Sequence, residues 1–313
     1  MNEKALAIIR EIEKVIIGKK AVIEMILTAM LADGHILLDD VPGVGKTTMA
    51  VAISRALGLG FGRVQFTPDV LPSDITGFSM YNKETGKLDY VPGAVYGVNL
   101  LLGDEINRTS SKTQSALLEV MEEGQITVDG KTHVLERPFL VVATQNNVGA
   151  AGTQLLPYAQ LDRFLVKLSI GYPDIESEKN VIRGRQEENP IDGVKRVVTV
   201  EDFLKMQNDV VKVTVKDSII DYIARLAERS RRHGMLELGI SPRGSLFINK
   251  MAKARAYIKG RDYVIPDDIQ SAFINVCEHR VLLSQTARSE KVTAEQALKS
   301  LLDEVIVPDG TVK

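Results

Sequence analysis

The densest chemical signal in the chain is the run DVPGVGKTT, residues 40–48. It follows a short apolar strand pattern and opens a helical one, the setting in which a glycine-rich loop cradles a polyphosphate. Gly43 and Gly45 let the backbone approach a ligand closely, so that the N–H groups of residues 43–48 can point at phosphate oxygens. Pro42, Gly43, Val44, Gly45, Lys46, Thr47 and Thr48 are therefore candidate nucleotide-binding residues. Lys46 would reach the β- and γ-phosphates, and Thr47 would ligate Mg2+. Asp40 occupies the position where the first glycine of such a loop usually stands. A plain Gly/Pro connection would leave the Lys-Thr-Thr at the helix start unexplained.

Residues 98–108 read VNLLLGDEINR. An apolar strand pattern delivers Asp104 and Glu105 at its carboxyl end, the edge at which open α/β sheets bind ligands. Asp104 suits Mg2+, held through its water shell, and Glu105 suits polarising an attacking water. Alone, such a pair is usually a solvated turn; downstream of a phosphate loop it gains meaning. In VVATQNN, residues 141–147, the Asn146 amide could bond both a γ-phosphate oxygen and the lytic water, although an Asn-rich turn is the simpler reading of that stretch taken alone. Arg163, in YAQLDRF, sits where a helix end meets a strand; a surface ion pair with Asp162 is the alternative. In ISPRG, residues 240–244, Ser241 can cap a helix whose first residue is Pro242. Arg243 then falls in the first turn, where the helix dipole gives a cation no help. That points to an external anion, with an ordinary surface arginine as the alternative.

These residues need a sheet to gather them. Helical periodicity covers residues 3–16 and 19–32. Strand patterns follow at 35–39 (HILLD), 63–66 (RVQF), 98–102 (VNLLL), 138–144 (PFLVVAT) and 164–170 (FLVKLSI). Apolar runs alternating with helices predict a mainly parallel α/β sheet covered on both faces. Residues 68–97 and 126–135 break the alternation. The first is rich in turn formers, and the second carries Asp129-Gly130 as a two-residue hairpin turn. Both are functional insertions on this reading.

From Asp174 onward helical patterns dominate, at 174–188, 200–211, 216–232, 242–258, 266–281 and 292–304, with one candidate short strand at 194–200 (VKRVVTV). The change of character divides the chain into an α/β nucleotide-binding core, residues 1–190, and a helical domain, residues 191–313. Formal net charge is −2, which supplies no global field for nucleic acid. Cys277, the one cysteine, lies in a helical apolar pattern and reads as a packing residue. The four histidines lack metal-ligand spacing. No apolar run reaches the length of a membrane span, and the acidic amino-terminal stretch does not suit a signal peptide. A cytoplasmic protein is expected.

Phosphate loop, Asp-Glu, Asn, Arg and a further Arg in a helical domain stand in an order that resembles AAA+ ATPases. The blocks QFTPDVLPSDITGF (65–78), LLGDEINR (101–108), KTQSALLEVMEEGQITVDG (112–130), ATQN (143–146) and LPYAQLDRF (156–164) resemble the MoxR family of that superfamily. EKVIIGKKAVIE (13–24) is similar to the family's amino-terminal stretch, whose Ile-Gly step, here Ile17-Gly18, lines the adenine pocket. The resemblance implies a three-layer α/β/α core with sheet order 5-1-4-3-2, an all-α carboxy-terminal lid, and ATP with Mg2+ as cofactors. It also implies a homo-oligomeric, hexameric ring in which both insertions face the centre. Asn146 would be the γ-phosphate sensor, Arg163 a finger reaching a neighbour's nucleotide, and Arg243 a second sensor, with Arg108 a further candidate contact between subunits. Tyr158 and Asn147 depart from the family pattern, which usually has Glu and Pro there.

The resemblance implies a chaperone-like ATPase that remodels partner proteins, with von Willebrand factor A-type proteins as the expected partners. A magnesium-chelatase-like motor subunit is the alternative on the same fold. A nucleic-acid remodeller such as a helicase loader is the alternative from another class, and the acidic balance counts against it.

Overall fold

The computed structural model describes residues 1–146, 156–184 and 189–308. In chain order its elements are α1 (Glu3–Glu13), α2 (Lys20–Leu31), β1 (Ile36–Asp39), α3 (Lys46–Leu57), β2 (Phe61–Gln65), α4 (Pro72–Thr76), β3 (Phe78–Asn82), β4 (Lys87–Val91), β5 (Leu100–Asp104), α5 (Ser111–Glu123), β6 (Gln125–Val128), β7 (Lys131–Val134), β8 (Leu140–Gln145), α6 (Tyr158–Leu161) and β9 (Val166–Leu168). The second half adds α7 (Ile175–Gly184), α8 (Val200–Val211), α9 (Asp217–Arg231), β10 (Leu236–Leu238), α10 (Pro242–Ile258), α11 (Pro266–Cys277), β11 (Leu282–Leu283), α12 (Gln285–Ser289) and α13 (Ala294–Glu304).

Five parallel strands form the central sheet in the spatial order β2-β5-β8-β1-β9. Counted among these strands alone and read from the other edge, that is 5-1-4-3-2. The three inner strands carry near-continuous apolar runs because both of their faces are covered. Alternation along each strand sorts the side chains into two cores. Ile36, Leu38, Leu100, Leu102, Leu140 and Val142 join the core that includes residues of α1, α2 and α3. Leu37, Leu101, Val141 and Ala143 join the core beneath α5. The result is the expected three-layer arrangement, with Asp39, Asp104 and Gln145 ending their strands at one edge.

The two insertions are β-ribbons. β3 pairs antiparallel with β4, and β6 pairs with β7 across a turn in which Asp129 and Gly130 both have positive φ (48° and 77°). That is the conformation an Asp-Gly hairpin turn favours. Tyr90 of β4 stacks on His133 of β7 with ring centroids 4.0 Å apart, so the two ribbons are joined.

Among the described residues the second half is mostly helical, with a small antiparallel β10-β11 ribbon. Residues 194–199 do not form the strand that VKRVVTV suggests. Among the described residues no strand lies alongside them; the amides of Val197 and Val198 bond the Ala56 carbonyl at the end of α3, while Val194 and Val198 are buried. Val194, Val197 and Val198 pack an extended connection onto a helix end. The helical half docks on the amino-terminal helices: Gln207 donates to the Met30 carbonyl (2.8 Å), Lys259 pairs with Glu24 (2.5 Å), and the first core runs unbroken from the sheet into α8–α11. Among the described residues no helix is long and apolar enough to cross a membrane.

Candidate functional site

The phosphate loop joins β1 to α3. Gly43 and Gly45 adopt φ of 86° and 92°, a region costly for any residue with a side chain, and a Cβ at either would meet nothing within 4 Å. The loop is therefore an open cradle. Gly45 caps α3 without a side-chain hydrogen bond, and the first intrahelical amide bond there is Met49 N–H to Gly45 O at 2.8 Å. The amides of Lys46, Thr47 and Thr48 thus sit at an uncapped helix N-terminus, which favours an anion. Lys46 donates to the Asp40 carbonyl at 2.7 Å. Partial burial holds its ammonium below the ordinary lysine range, while Asp40, Asp104, Asp39 and Glu105 around it act in the opposite sense. Loop and carboxylates are thereby gathered around one lysine, and the residues present fit a magnesium-bound polyphosphate.

Asp40 has a structural task that its motif position does not reveal. Its carboxylate accepts from Ser169 Oγ (2.8 Å) and from the amides of Ile170 (2.5 Å) and Gly171 (3.1 Å). The loop is anchored to the chain leaving β9 by these three bonds. Gly18 lies against the start of α7. Gly18 has φ of 75°, and a Cβ there would collide with the Ser177 hydroxyl of α7. Lys19 donates to the Tyr172 carbonyl at 2.7 Å, so residues 17–19 are fastened to the segment entering α7.

At the end of β5, Asp104 is almost fully buried. Its Oδ1 accepts from Thr144 Oγ1 of β8 (3.1 Å), and its Oδ2 accepts from Arg63 of β2, with Nε at 2.9 Å and Nη2 at 2.7 Å. Glu105 has φ of 57°, unusual for a residue with a side chain. Its amide donates to Thr144 Oγ1 (2.9 Å), while its Oε2 accepts from Gln65 (3.0 Å) and Arg108 (2.8 Å). Asn107 is buried and donates to the Asn146 carbonyl at 3.1 Å, tying the end of β8 to the turn after β5. Asn146 is thus brought to Asp104 and Glu105. Asn147 lies outside the described residues, and Tyr158 begins α6 half-exposed.

The two later arginines stand together. Arg163 Nε lies 3.1 Å from Glu122 Oε2, and Arg243 Nη2 lies 2.5 Å from Glu122 Oε1. Asp162 does not pair with Arg163: it takes Arg280 (2.8 Å) and the Ser241 hydroxyl (3.4 Å). Ser241 caps α10 as its sequence suggests, accepting from the Gly244 amide. The arginines line a cleft of about 540 Å³ with Lys250, Phe247 and Leu165, and no residue of 40–48 lines it.

Motif reasoning did not single out Arg63, Gln65, Asn107, Glu122, Thr144, Asp162 or Arg280 for these roles. All but Arg280 fell inside quoted stretches, Arg63 in RVQF, Thr144 in ATQN and Asp162 in LPYAQLDRF among them, yet none of those stretches shows these pairings. Buried partners far apart in sequence give a single chain no periodic signal.

A parallel 5-1-4-3-2 sheet with a phosphate loop after its first strand and an Asp-Glu pair after its third defines the class: a P-loop ATPase of the AAA+ type. The family model "ATPase family associated with various cellular activities (AAA)" matches residues 35–166, and an AAA lid domain model matches residues 228–301. The Bacillus subtilis protein YeaC, uncharacterized, is 48% identical over 96% of this chain and 93% of its own length. Chaperone MoxR1 of Mycobacterium tuberculosis is 37% identical over 95% of this chain and 81% of its own. The crystal structure of a protein of Cytophaga hutchinsonii assigned as an ATPase superposes with a TM-score of 0.90 at 38% identity, covering 98% of this chain and 95% of that one. The chain belongs to the MoxR family of AAA+ ATPases, and it is an ATP-hydrolysing enzyme.

Proposed function

We propose that this ATPase works as a chaperone-like remodeller of partner proteins, hydrolysing ATP where subunits of a homo-oligomeric, hexameric ring meet. The observation that carries the reading is the pairing of Arg163 and Arg243 on Glu122, in a cleft that the phosphate loop does not line. Two arginines gathered away from a chain's own loop suit the phosphates of a neighbour. Residues 1–190 serve as the nucleotide core and 191–313 as the lid.

Within one subunit, the amides at the start of α3 and the Lys46 ammonium bind the phosphates, and Ile17 and Gly18 border the base. Mg2+, when bound, neutralises charge on the phosphate oxygens; the Thr47 hydroxyl and Asp104 would hold it. Glu105 accepts a hydrogen bond from the attacking water, polarising it, once Gln65 and Arg108 release its carboxylate, and the Asn146 amide orients that water. Arg163 and Arg243, from the adjacent subunit, stabilise charge on the transferring phosphoryl group.

The partner is a separate protein, and a von Willebrand factor A-type protein is the prey we expect; that identity rests on the family resemblance. We place the work in the cytoplasm, which the single buried thiol suits. Nucleic acid is not expected as a client, given the net charge of −2. Affinity capture with Glu105→Gln in ATP from native lysate tests this. Retention of a defined protein in ATP and its loss in ADP are expected. Salt-sensitive recovery of nucleic acid instead would contradict the reading.

A further inference from the structure

Glu122 occupies an unfavourable place. It lies in the last turn of α5, where the helix dipole opposes a carboxylate and where no basic residue offsets it. Arg243 has the mirror problem in the first turn of α10. Each breaks a local rule, and each is compensated by the other at 2.5 Å. Arg163 takes the second carboxylate oxygen. The α5 terminus is itself fixed: His35 is half-buried, its Nε2 bonds the Met121 carbonyl at 2.9 Å, and its Nδ1 accepts from the Val141 amide at 3.0 Å. Gly124, with φ of 62°, ends the helix one residue beyond Glu123.

We propose that Glu122 is a positioning residue for ATP hydrolysis: its carboxylate holds Arg163 and Arg243 side by side, standing in for the γ-phosphate of the neighbouring subunit's nucleotide. The inference rests on the reading that both arginines act across the subunit interface. Two guanidinium groups repel at this range unless an anion lies between them. A carboxylate bridges them with one oxygen each, the way two phosphate oxygens would. All three side chains are between 30% and 42% exposed, so the pairing is weak enough to be exchanged for an incoming phosphate. The arginines are thus placed before the neighbour arrives, and less of the cost of ordering them falls on the catalytic step.

Glu122→Gln retains the shape but turns an amide donor toward one guanidinium, so one arginine is released. Its kcat should fall about tenfold or more, since a misplacement of about 1 Å can cost about 100-fold. KM and ATP affinity should stay within about twofold, because a subunit's own phosphate loop is untouched. Glu122→Asp, which keeps the charge, should lose less than Glu122→Gln.

The deciding measurement mixes Glu122→Gln with Lys46→Ala subunits under exchange. The Lys46→Ala subunit brings an intact Glu122, Arg163 and Arg243 to a neighbour whose phosphate loop is sound, so activity should rise above that of either alone. An unchanged kcat in Glu122→Gln overturns the proposal. So does a loss that Lys46→Ala subunits fail to rescue while they do rescue Arg163→Ala; the interface reading then survives and Glu122 is only structural. If neither variant is rescued although subunits exchange, the interface reading fails and takes the proposal with it.

Discussion

The Ser241 hydroxyl meets the Asp162 carboxylate at 3.4 Å, and that contact joins the chain positions flanking Arg243 and Arg163. Ser241 caps α10, and Asp162 closes α6. Beneath them, the buried Arg280 pairs with Asp162 and donates to the carbonyls of Asp162, Phe164, Leu165 and Val276. The backbone beside both cleft arginines is therefore braced by residues from both halves of the chain.

Removing that brace should be costly. Arg280→Met strands a carboxylate and several carbonyls, and breaking a buried pair from one side typically costs about 3–5 kcal/mol. Urea unfolding should show a midpoint well below wild type. An unchanged midpoint would mean that Asp162 finds equivalent partners.

Lys46→Ala should abolish ATP binding, because it removes the fixed cation beside the uncapped helix start. Calorimetric titration with ATP checks this. Affinity equal to wild type would remove the loop from the site.

Glu105→Gln should bind ATP as wild type does and hydrolyse it far more slowly, since an amide cannot polarise water as a carboxylate does. Asp104→Ala should instead raise the Mg2+ concentration needed for half-maximal rate. If Glu105→Gln turned over normally, the activating carboxylate would have to be another residue.

The strands and most helices were legible because each carries a periodicity that its packing demands. Leu100–Leu102 and 140–143 read as buried strands and are buried. The span Pro242–Ile258 was expected to its last residue. Where a valine-rich stretch served another purpose, as at 194–199, the reading failed: valines that pack an extended link against α3 look the same as strand valines. The places of the loop and the Asp-Glu pair in the fold were legible because each directly follows a readable apolar strand. The partner of Arg163 was not, because the nearest acid in sequence, Asp162, is held by Arg280, more than a hundred residues away, while Glu122 arrives from another helix. The helix expected to run through residue 281 ends at Cys277, and the residues beyond it turn so that Arg280 reaches Asp162. Cys277 is buried as expected, and burial pushes its thiol up to about 12.

Acid should weaken the fold before carboxylates titrate. Burial lowers the pKa of both His35 and His279, the latter with Arg280 adding to the effect. His35 uses Nε2 and Nδ1 in its neutral form, and protonation would set a donor against the Val141 amide. With folded values below the unfolded one of about 6.5, the stability these histidines contribute is present above that pH and is lost as pH falls below it toward their folded values. Thermal midpoints should drop between pH 7.5 and 5.5. His35→Gln should be less stable at pH 7.5 and show a shallower slope; a slope as steep as wild type would assign the loss elsewhere.

The central claim is that hydrolysis is shared between subunits, and one mixing measurement tests it most directly. Arg163→Ala keeps a sound phosphate loop, and Lys46→Ala keeps a sound arginine. An arginine supplied across an interface can be worth about 10³–10⁵ in rate, so each variant alone should be nearly inactive. Combined under conditions where subunits exchange, they form interfaces at which an intact loop meets an intact Arg163, and ATPase activity should reappear. If exchange is demonstrated by a labelled subunit and the mixture stays as inactive as its parts, Arg163 does not act across the interface, and the account is wrong at its centre.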